Sequence, residues 1–110
     1  MTRSYQHPTP EEVNLSQVLF ALSDPTRLQM VRILAVREYV NSLDLAPDMP
    51  KSTVTHHTGT LRKAGITHTR PEGRNCWISL RRDLLDARFP GLLEAILKQE
   101  STSCFACYGR

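Results

Sequence analysis

A single β-hairpin signal interrupts a chain whose other patterns are helical, and it limits the folds open to this sequence. Residues 66–70 are rich in strand-forming side chains, residues 71–75 read as a turn around Gly73, and residues 76–80 return with alternating character. No internal repeat accompanies this signal. The sequence therefore predicts a mainly α fold with one small β-hairpin.

Two helices are predicted before the middle of the chain. The first spans about residues 10–22, with Thr9 as its cap and Glu12 completing a capping box. The second spans about residues 25–36 and is apolar over too wide a face for a surface helix. We therefore expect the second helix to be the most buried one.

Two further helices, joined by a tight break, lead into the hairpin. Asn41 caps a short third helix, and a fourth runs over about residues 51–64, with Gly65 as its C-terminal cap. After the hairpin come a short helix capped by Asp83 and a last helix over about residues 90–98. The order α-α-α-α-β-β-α predicts a winged helix-turn-helix, with residues 1–110 forming one domain.

Charge is concentrated in the middle of the chain. Residues 50–82 hold seven lysines and arginines against the single acid Glu72, a net charge of +6. Because the whole chain carries a formal net charge of +3, the remaining residues carry −3. A basic middle of this kind indicates either a face made for a polyanion or chance clustering on a solvated surface. The order of the elements favours the polyanion.

Compartment and partners are also constrained. No apolar run approaches the length needed to cross a bilayer, and the first ten residues have no apolar core like that of a signal peptide. We therefore expect a cytoplasmic protein with no membrane partner, whose three cysteines are reduced unless one is a sensor.

Four motifs follow one another with consistent spacing: Asp24-Pro25-Thr26-Arg27-Leu28, Ser52-Thr53-Val54-Thr55-His56-His57, Leu61-Arg62-Lys63-Ala64-Gly65-Ile66 and Glu72-Gly73-Arg74. Together they resemble the ArsR/SmtB family of bacterial repressors over about residues 12–97. This resemblance implies a homodimer whose fourth helix enters the major groove of double-stranded DNA and whose hairpin wing touches the flanking backbone or minor groove. It also implies release from an inverted-repeat operator when a ligand binds, often a metal ion.

The sequence departs from the family in two respects, the fourth helix and the metal sites. In the fourth helix Thr58-Gly59-Thr60 stands where the family usually has a large apolar residue at position 58 and a polar one at 59. The small residues either let the helix sit deep in the groove, or they are poor helix formers that the helix tolerates because tertiary packing supports it. The metal boxes are missing as well, since residues 41–46 have no cysteine and residues 84–100 no histidine. Metal sensing is therefore not inherited from the resemblance.

The candidate DNA contacts lie at the fourth helix and the wing. His56 is the best candidate for a base-edge contact, whereas His57 lies on the inner side, where a hydrogen-bonded packing role is favoured over base reading, although the family has a preferred histidine at this position. Backbone N–H groups at the helix start attract phosphate. The full set of candidates is Lys51, Ser52, Thr53, Thr55, His56, His57, Arg62, Arg70, Arg74 and Asn75.

The first and last helices each carry an apolar stripe that a small core does not fully cover. Pairing both helices with those of a second copy would bury the stripes, so we expect them to form a dimer interface. The tail over residues 101–110 is expected to be loose. The interface candidates are Leu15, Val18, Leu19, Leu22, Leu92, Leu93, Ile96 and Leu97.

The tail pair Cys104 and Cys107 has Cys-x-x-Cys spacing. Such a pair can bind a thiophilic metal or metalloid, cycle between dithiol and disulfide, or be inert. Two thiolates do not complete a metal site, and a third ligand would have to come from Cys76, from a histidine or from the other subunit. Cys76 also has the character of a small packed hydrophobe. No cofactor is assigned, and all three readings of the pair stay open.

Two other classes of function compete with DNA binding. An enzyme is disfavoured because the five glycines are scattered, and the sequence has no phosphate loop, nucleophile elbow or clustered acid/base pair. A thiol oxidoreductase would place its Cys-x-x-Cys in a βαβ context, which is absent. A winged helix used only for protein contacts would not need the basic stretch. The sequence therefore predicts a DNA-binding repressor that is not an enzyme.

Overall fold

The structure is a computed structural model, and it describes residues 5–99. Within this range the chain forms a short 3-10 turn at Pro10–Glu12, six α-helices and three strands. Their order confirms the predicted winged helix-turn-helix. The elements are α1 (Leu15–Leu22), α2 (Pro25–Val36), β1 (Val40–Asn41), α3 (Ser42–Leu45), α4 (Lys51–Lys63), β2 (Thr67–Glu72), β3 (Asn75–Leu80), α5 (Arg82–Arg88) and α6 (Leu92–Gln99).

The first predicted helix begins later than expected. The Thr9 N–H donates to Glu12 Oε1 at 2.8 Å, as a capping box requires, but the turn ends at Glu12. Val13 is extended, and its side chain enters the core with 1% exposure. Asn14 then caps α1 by accepting a hydrogen bond from the Gln17 N–H at 2.9 Å. The prediction of one helix over residues 10–22 is wrong in its first turn, because the sequence holds two successive caps.

Helix α2 occupies the centre of the fold, as predicted. Asp24 caps it by accepting hydrogen bonds from the N–H groups of Thr26 and Arg27 at 2.9 and 3.1 Å. Its Met30 and Val31 side chains are fully buried. The core around them draws on nearly every other element. Its members are Val13, Val18, Ala21, Met30, Val31, Leu34, Val40, Leu45, Val54, Leu61, Ala64, Ile66, Ile78, Leu85 and Leu93.

The wing is a three-stranded antiparallel sheet in the order β1-β3-β2. The sequence predicted only its hairpin and missed β1, which pairs Val40 with Ile78. The predicted five-residue turn is shorter in the structure, because β2 extends to Glu72 and β3 begins at Asn75, leaving only Gly73 and Arg74 between them. Gly73 has φ +63°, a conformation that glycine adopts without strain.

Helix α4 ends as its sequence predicts. The Ile66 N–H bonds to the Leu61 carbonyl and the Gly65 N–H to the Arg62 carbonyl, both at 3.0 Å, which is a Schellman motif. Gly65 has φ +88°, the left-handed conformation that this motif requires. The chain therefore leaves α4 sharply and enters β2, so the wing lies beside the helix.

The last two helices differ slightly from their predicted starts. Helix α5 begins at Arg82 with Arg81 at its N-cap, so Asp83 lies in its first turn and is not the cap. Helix α6 begins at Leu92, two residues beyond Pro90, because Gly91 adopts φ +84° before it. Across residues 5–99, the structure contains no helix both long enough and apolar enough to cross a membrane.

Candidate nucleic-acid interface

Helix α4 has two distinct faces. Val54, Thr58 and Leu61 are buried, at 3%, 7% and 0% exposure, and fix the helix on the core. The opposite face is exposed and basic or hydroxylic, as helical spacing predicted. Its exposed members are Lys51, Ser52, Thr55, His56 and Lys63, while Thr53 and Gly59 are half-buried.

The N-terminal end of α4 is open to an anion. Pro50 is the N-cap residue and offers no side-chain hydrogen bond to the helix. The Thr53 and Val54 N–H groups bond to the Pro50 carbonyl at 3.0 and 3.1 Å, which leaves those of Lys51 and Ser52 at the helix end. Unpaired N–H groups at a helix start attract phosphate. The Lys51 side chain adds a full positive charge at the same end.

Three of the predicted DNA contacts lie in the wing, and their side chains have different surroundings in the structure. Arg74 is exposed at the tip of the β2–β3 turn. The Arg70 guanidinium instead lies over the Tyr39 ring at 5.6 Å, and its Nη1 is 3.8 Å from Glu72 Oε2. Asn75 Oδ1 accepts a hydrogen bond from Asn41 Nδ2 at 3.0 Å. Arg74 is therefore the wing residue best placed for a nucleic acid.

Arg62 is drawn toward the N-terminal segment. Its guanidinium stacks over the Tyr5 ring at 4.9 Å. The Tyr5 hydroxyl in turn hydrogen-bonds Cys76 Sγ at 3.1 Å, so Tyr5 lies between the end of α4 and the wing. The helical pattern predicts a DNA contact for Arg62 and no role for Tyr5. The aromatic ring in an otherwise polar segment was the available signal.

His7 fixes the same segment to the edge of the wing. Its Nε2 accepts the Thr69 N–H at 3.0 Å, and its ring stacks on His68 with centroids 4.2 Å apart. Burial lowers the pKa of His7, and the nearby charges of His68, Arg81 and Arg62 lower it further. A neutral His7 is what this contact needs, because a protonated Nε2 cannot accept the Thr69 N–H.

The predicted dimer face is only partly exposed. Leu15 and Leu19 on α1 are 45% and 47% exposed, whereas Val18 and Leu93, at 1% and 3%, are already buried in the chain's own core. Val18 and Leu93 are therefore corrected from interface to core. The other four predicted members are half-buried: Leu22, Leu92, Ile96 and Leu97.

Phe20, which is absent from the predicted interface, is the most exposed apolar residue of α1, at 66%. It falls outside the i, i+3, i+4, i+7 stripe on which the prediction relied. Beside α1, an apolar cleft joins this helix to α6. The cleft is lined by Val18, Leu22, Ile66, Leu85, Leu92, Leu93 and Ile96.

Cys76 is the one cysteine among the residues that the structure describes. Cys76 is a half-buried free thiol. Between residues 5 and 99, no group of three or more His, Cys, Asp or Glu side chains could hold a metal ion. Cys104, Cys107 and the predicted loose tail lie outside the described residues.

Comparisons with known proteins bear on this surface. No family model matches the chain. The chain is 36% identical over 88 residues to YceK of Bacillus subtilis, an uncharacterised HTH-type transcriptional regulator, covering 74% of this chain and 84% of YceK. Among solved structures it resembles an ArsR family transcriptional regulator, RHA00566, with a TM-score of 0.62 and 26% identity over 89% of this chain and all of that one.

A second solved structure matches at the level of the fold. The solution structure of Mb0332 from Mycobacterium bovis, a homodimeric winged helix-turn-helix DNA-binding domain, matches with a TM-score of 0.62 and 22% identity. The match covers 79% of this chain and 81% of Mb0332. Helix-turn-helix and wing therefore stand in the same arrangement in this DNA-binding relative of the fold.

Proposed function

The chain belongs to the ArsR-type helix-turn-helix transcriptional regulators, and from this premise we propose that it represses transcription as a homodimer bound to an inverted-repeat operator. The observation that carries the proposal is the two-faced helix α4, which buries Val54, Thr58 and Leu61 and exposes a polar, basic face with an open N-terminus. The proposed place of action is the cytoplasm, with residues 1–110 acting as one domain.

Different residues have different roles in this proposal. Lys51, Ser52, Thr53 and Thr55 hold phosphates at the start of α4, and His56 reads base edges in the major groove. Arg74 reaches the flanking backbone or minor groove from the wing. Three of the predicted DNA contacts act indirectly in this proposal, because their side chains already contact Tyr5, Tyr39 and Asn41, respectively. These three are Arg62, Arg70 and Asn75.

Dimerisation through α1 and α6 completes the proposal. Leu15, Leu19 and Phe20 on α1 are exposed apolar residues, and half-buried Leu92 and Ile96 of α6 continue the surface. Mb0332, which shares this fold, is described as homodimeric. Two-fold symmetry would place two copies of α4 in half-sites about 10–10.5 base pairs apart.

The releasing signal in this proposal is a ligand or a redox change. Cys104 and Cys107 would supply two thiols for a thiophilic metal or metalloid, or a dithiol that oxidises. The relatives are regulators of transcription and not enzymes, so catalysis has no place in the proposal. Neither rival function, a thiol-based binding protein or a protein-contact module, is favoured by a contact within residues 5–99.

Arg74→Ala is expected to weaken binding to every duplex and to make the logarithmic salt dependence shallower by about 0.9, the value for one phosphate contact. The cause is the loss of one charge at the exposed tip of the wing. Fluorescence anisotropy of a labelled random-sequence duplex, titrated over a range of salt concentrations, measures the slope.

Arg88→Ala is the matched control for Arg74, because Arg88 is also an exposed arginine but lies on α5. Its slope should equal that of the wild type. Equal slopes for Arg74→Ala and the wild type would remove Arg74 from the interface. A wild-type protein with no salt-sensitive affinity for duplex DNA would refute the proposed function itself.

Gly59→Ala is expected to raise the free energy of unfolding by about 1 kcal/mol, because alanine is a much better helix former than glycine. The structure leaves room for the change, since an added Cβ would meet only the Arg62 guanidinium, at 3.9 Å. If α4 sits deep in the major groove, the same methyl group reduces DNA affinity about tenfold, or about 1.4 kcal/mol.

Thermal unfolding and duplex titration of the same Gly59→Ala protein measure the two effects together. Greater stability with weaker DNA binding supports close approach of the helix backbone to DNA. Greater stability with unchanged binding would identify the glycine as a tolerated lapse in the helix.

A further inference from the structure

Arg27 is a buried arginine at the point where α1, α2 and α4 meet. Its side chain is 7% exposed, although a buried charge is costly unless it is hydrogen-bonded. Its Nε donates to the Ala21 carbonyl in α1 at 2.7 Å, and its Nη1 lies 3.1 Å from His57 Nδ1 in α4. The guanidinium also lies 5.6 Å from the centre of the Phe20 ring.

The contact between Arg27 and His57 fixes the state of the imidazole. A guanidinium has only donors, so His57 Nδ1 must accept the hydrogen bond. A neutral imidazole that accepts at Nδ1 carries its proton on Nε2. His57 is half-buried, and Nε2 is its remaining polar atom. The ring can therefore offer a hydrogen-bond donor to another molecule but no acceptor.

Two other titratable side chains, Asp24 and His56, lie near Arg27 and His57. The Asp24 carboxylate caps α2 at the Arg27 and Thr26 N–H groups. Burial raises the pKa of Asp24, but the Arg27 N–H, the charge of Arg27 and the Thr26 N–H lower it more, so the net pKa is below its usual value. The neighbouring His56 ring is tilted by 56°, with its centroid 5.5 Å from that of His57.

We propose that Arg27 is a positioning residue for DNA recognition, which holds His57 in the Nε2–H tautomer and so restricts that ring to hydrogen-bond acceptors on DNA. This inference rests on the proposed function. The acceptors in the major groove are N7 of both purines, O6 of guanine and O4 of thymine, whereas cytosine presents the N4 amino donor. Arg27 thus decides which base edges His57 tolerates without itself touching DNA.

Anchoring explains why an arginine suits this place. The Nε bond to the Ala21 carbonyl fixes the plane of the guanidinium, and the fork then directs Nη1 at His57. A lysine offers a single ammonium on a flexible stem and cannot hold both partners in one plane. The position therefore needs the shape of arginine as well as its charge.

The first test is the tautomer itself, in protein free of DNA. Two-bond ¹H–¹⁵N spectra are recorded on wild-type protein labelled at histidine, at a pH at which imidazoles are neutral. They are expected to show that Nε2 of His57 carries the proton and Nδ1 does not. Arg27→Met is expected to yield a mixture of both tautomers. The matched control is Arg37→Met, which removes an exposed arginine at the C-terminal end of the same helix and should leave the tautomer unchanged.

The second test is base preference, measured by selection from a random-sequence duplex pool. The wild type is expected to disfavour cytosine at one position of each half-site, and Arg27→Met to weaken that discrimination about five- to tenfold, as expected for one hydrogen bond. Arg37→Met should keep the wild-type preference. A variant that melts earlier but keeps both tautomer and preference would make Arg27 merely structural and overturn the proposal.

Two further variants keep the proposal testable if Arg27→Met does not fold. His57→Gln presents an amide nitrogen near the place of Nε2 and should retain more of the preference than His57→Asn, which presents its amide near Nδ1. Equal preferences for the two would overturn the proposal, as would a wild-type His57 protonated on Nδ1. A wild type with the Nε2–H tautomer but no affinity for duplex DNA would refute the proposed function and leave the Arg27 contact standing.

Discussion

Gly65→Ala is expected to lower the free energy of unfolding by about 2–5 kcal/mol, the largest effect on stability that we predict. Gly65 has φ +88°, and a residue with a Cβ pays about 1–2 kcal/mol in that conformation. The added Cβ would also stand 2.4 Å from Val13 Cγ2, and overpacking a tight site costs about 1–3 kcal/mol. A small domain is stable by about 5–15 kcal/mol, so the loss is a large share of the total.

Gly91→Ala is the matched control for this prediction. Gly91 has a similar φ of +84°, but an added Cβ there would meet no atom within 4 Å. Gly91→Ala should therefore show only the backbone cost of about 1–2 kcal/mol. Chemical denaturation of both variants measures the difference between them, which reports the contact with Val13.

A second variant checks the same contact from the other side. Val13→Ala removes both Cγ atoms that a Cβ at position 65 would strike, so it should cost less in the Gly65→Ala background than in the wild type. Equal costs for Gly65→Ala and Gly91→Ala, or strictly additive effects of Gly65→Ala and Val13→Ala, would contradict the steric explanation.

The sequence predicted those parts of the fold that depend on local signals. The bounds of α2 follow from Asp24, Pro25 and a wide apolar face, and the end of α4 follows from Gly65. Strand β1 was missed because two residues are too few to show alternation, and Val40 becomes a strand residue only by pairing with Ile78. The start of α1 was misplaced because Thr9 and Asn14 both offer caps, and only tertiary packing of Val13 decides between them.

The candidate site was also predictable where it depends on local signals. The prediction failed for side chains whose partners are distant in the sequence. Helical periodicity separated Val54 and Leu61 from the exposed face of α4. It does not predict the stacking of Arg62 over Tyr5, 57 positions away in the sequence, or the hydrogen bond between Arg27 and His57. Periodicity also cannot tell a core stripe from an interface stripe.

Leu19→Glu is expected to convert a dimer into a monomer and to weaken operator binding by about 10²–10⁴-fold, the gain that linking two binding units provides. Leu19 is 47% exposed beside exposed Leu15 and Phe20, and a carboxylate buried between two copies of α1 would be desolvated without a partner. The chain's own core should tolerate the change, because Val18 and Ala21 supply the buried side of α1.

Val36→Glu is the matched control, since Val36 is 81% exposed and lies at the end of α2, outside the proposed interface. Sedimentation velocity over a range of protein concentrations measures the oligomeric state of both variants. A Leu19→Glu protein that stays dimeric, or a Val36→Glu protein that dissociates, would move the interface away from α1.

The DNA-binding behaviour of the Leu19→Glu monomer separates dimerisation from recognition. Helix α4 packs on the core through Val54 and Leu61, which the substitution does not touch. The monomer should therefore still bind a single half-site, with the salt dependence of binding about half that of the dimer because half the phosphate contacts remain. A monomer with no salt-sensitive affinity at all would mean that α4 depends on the partner for its exposed position, and dimerisation would then be part of the reading surface itself.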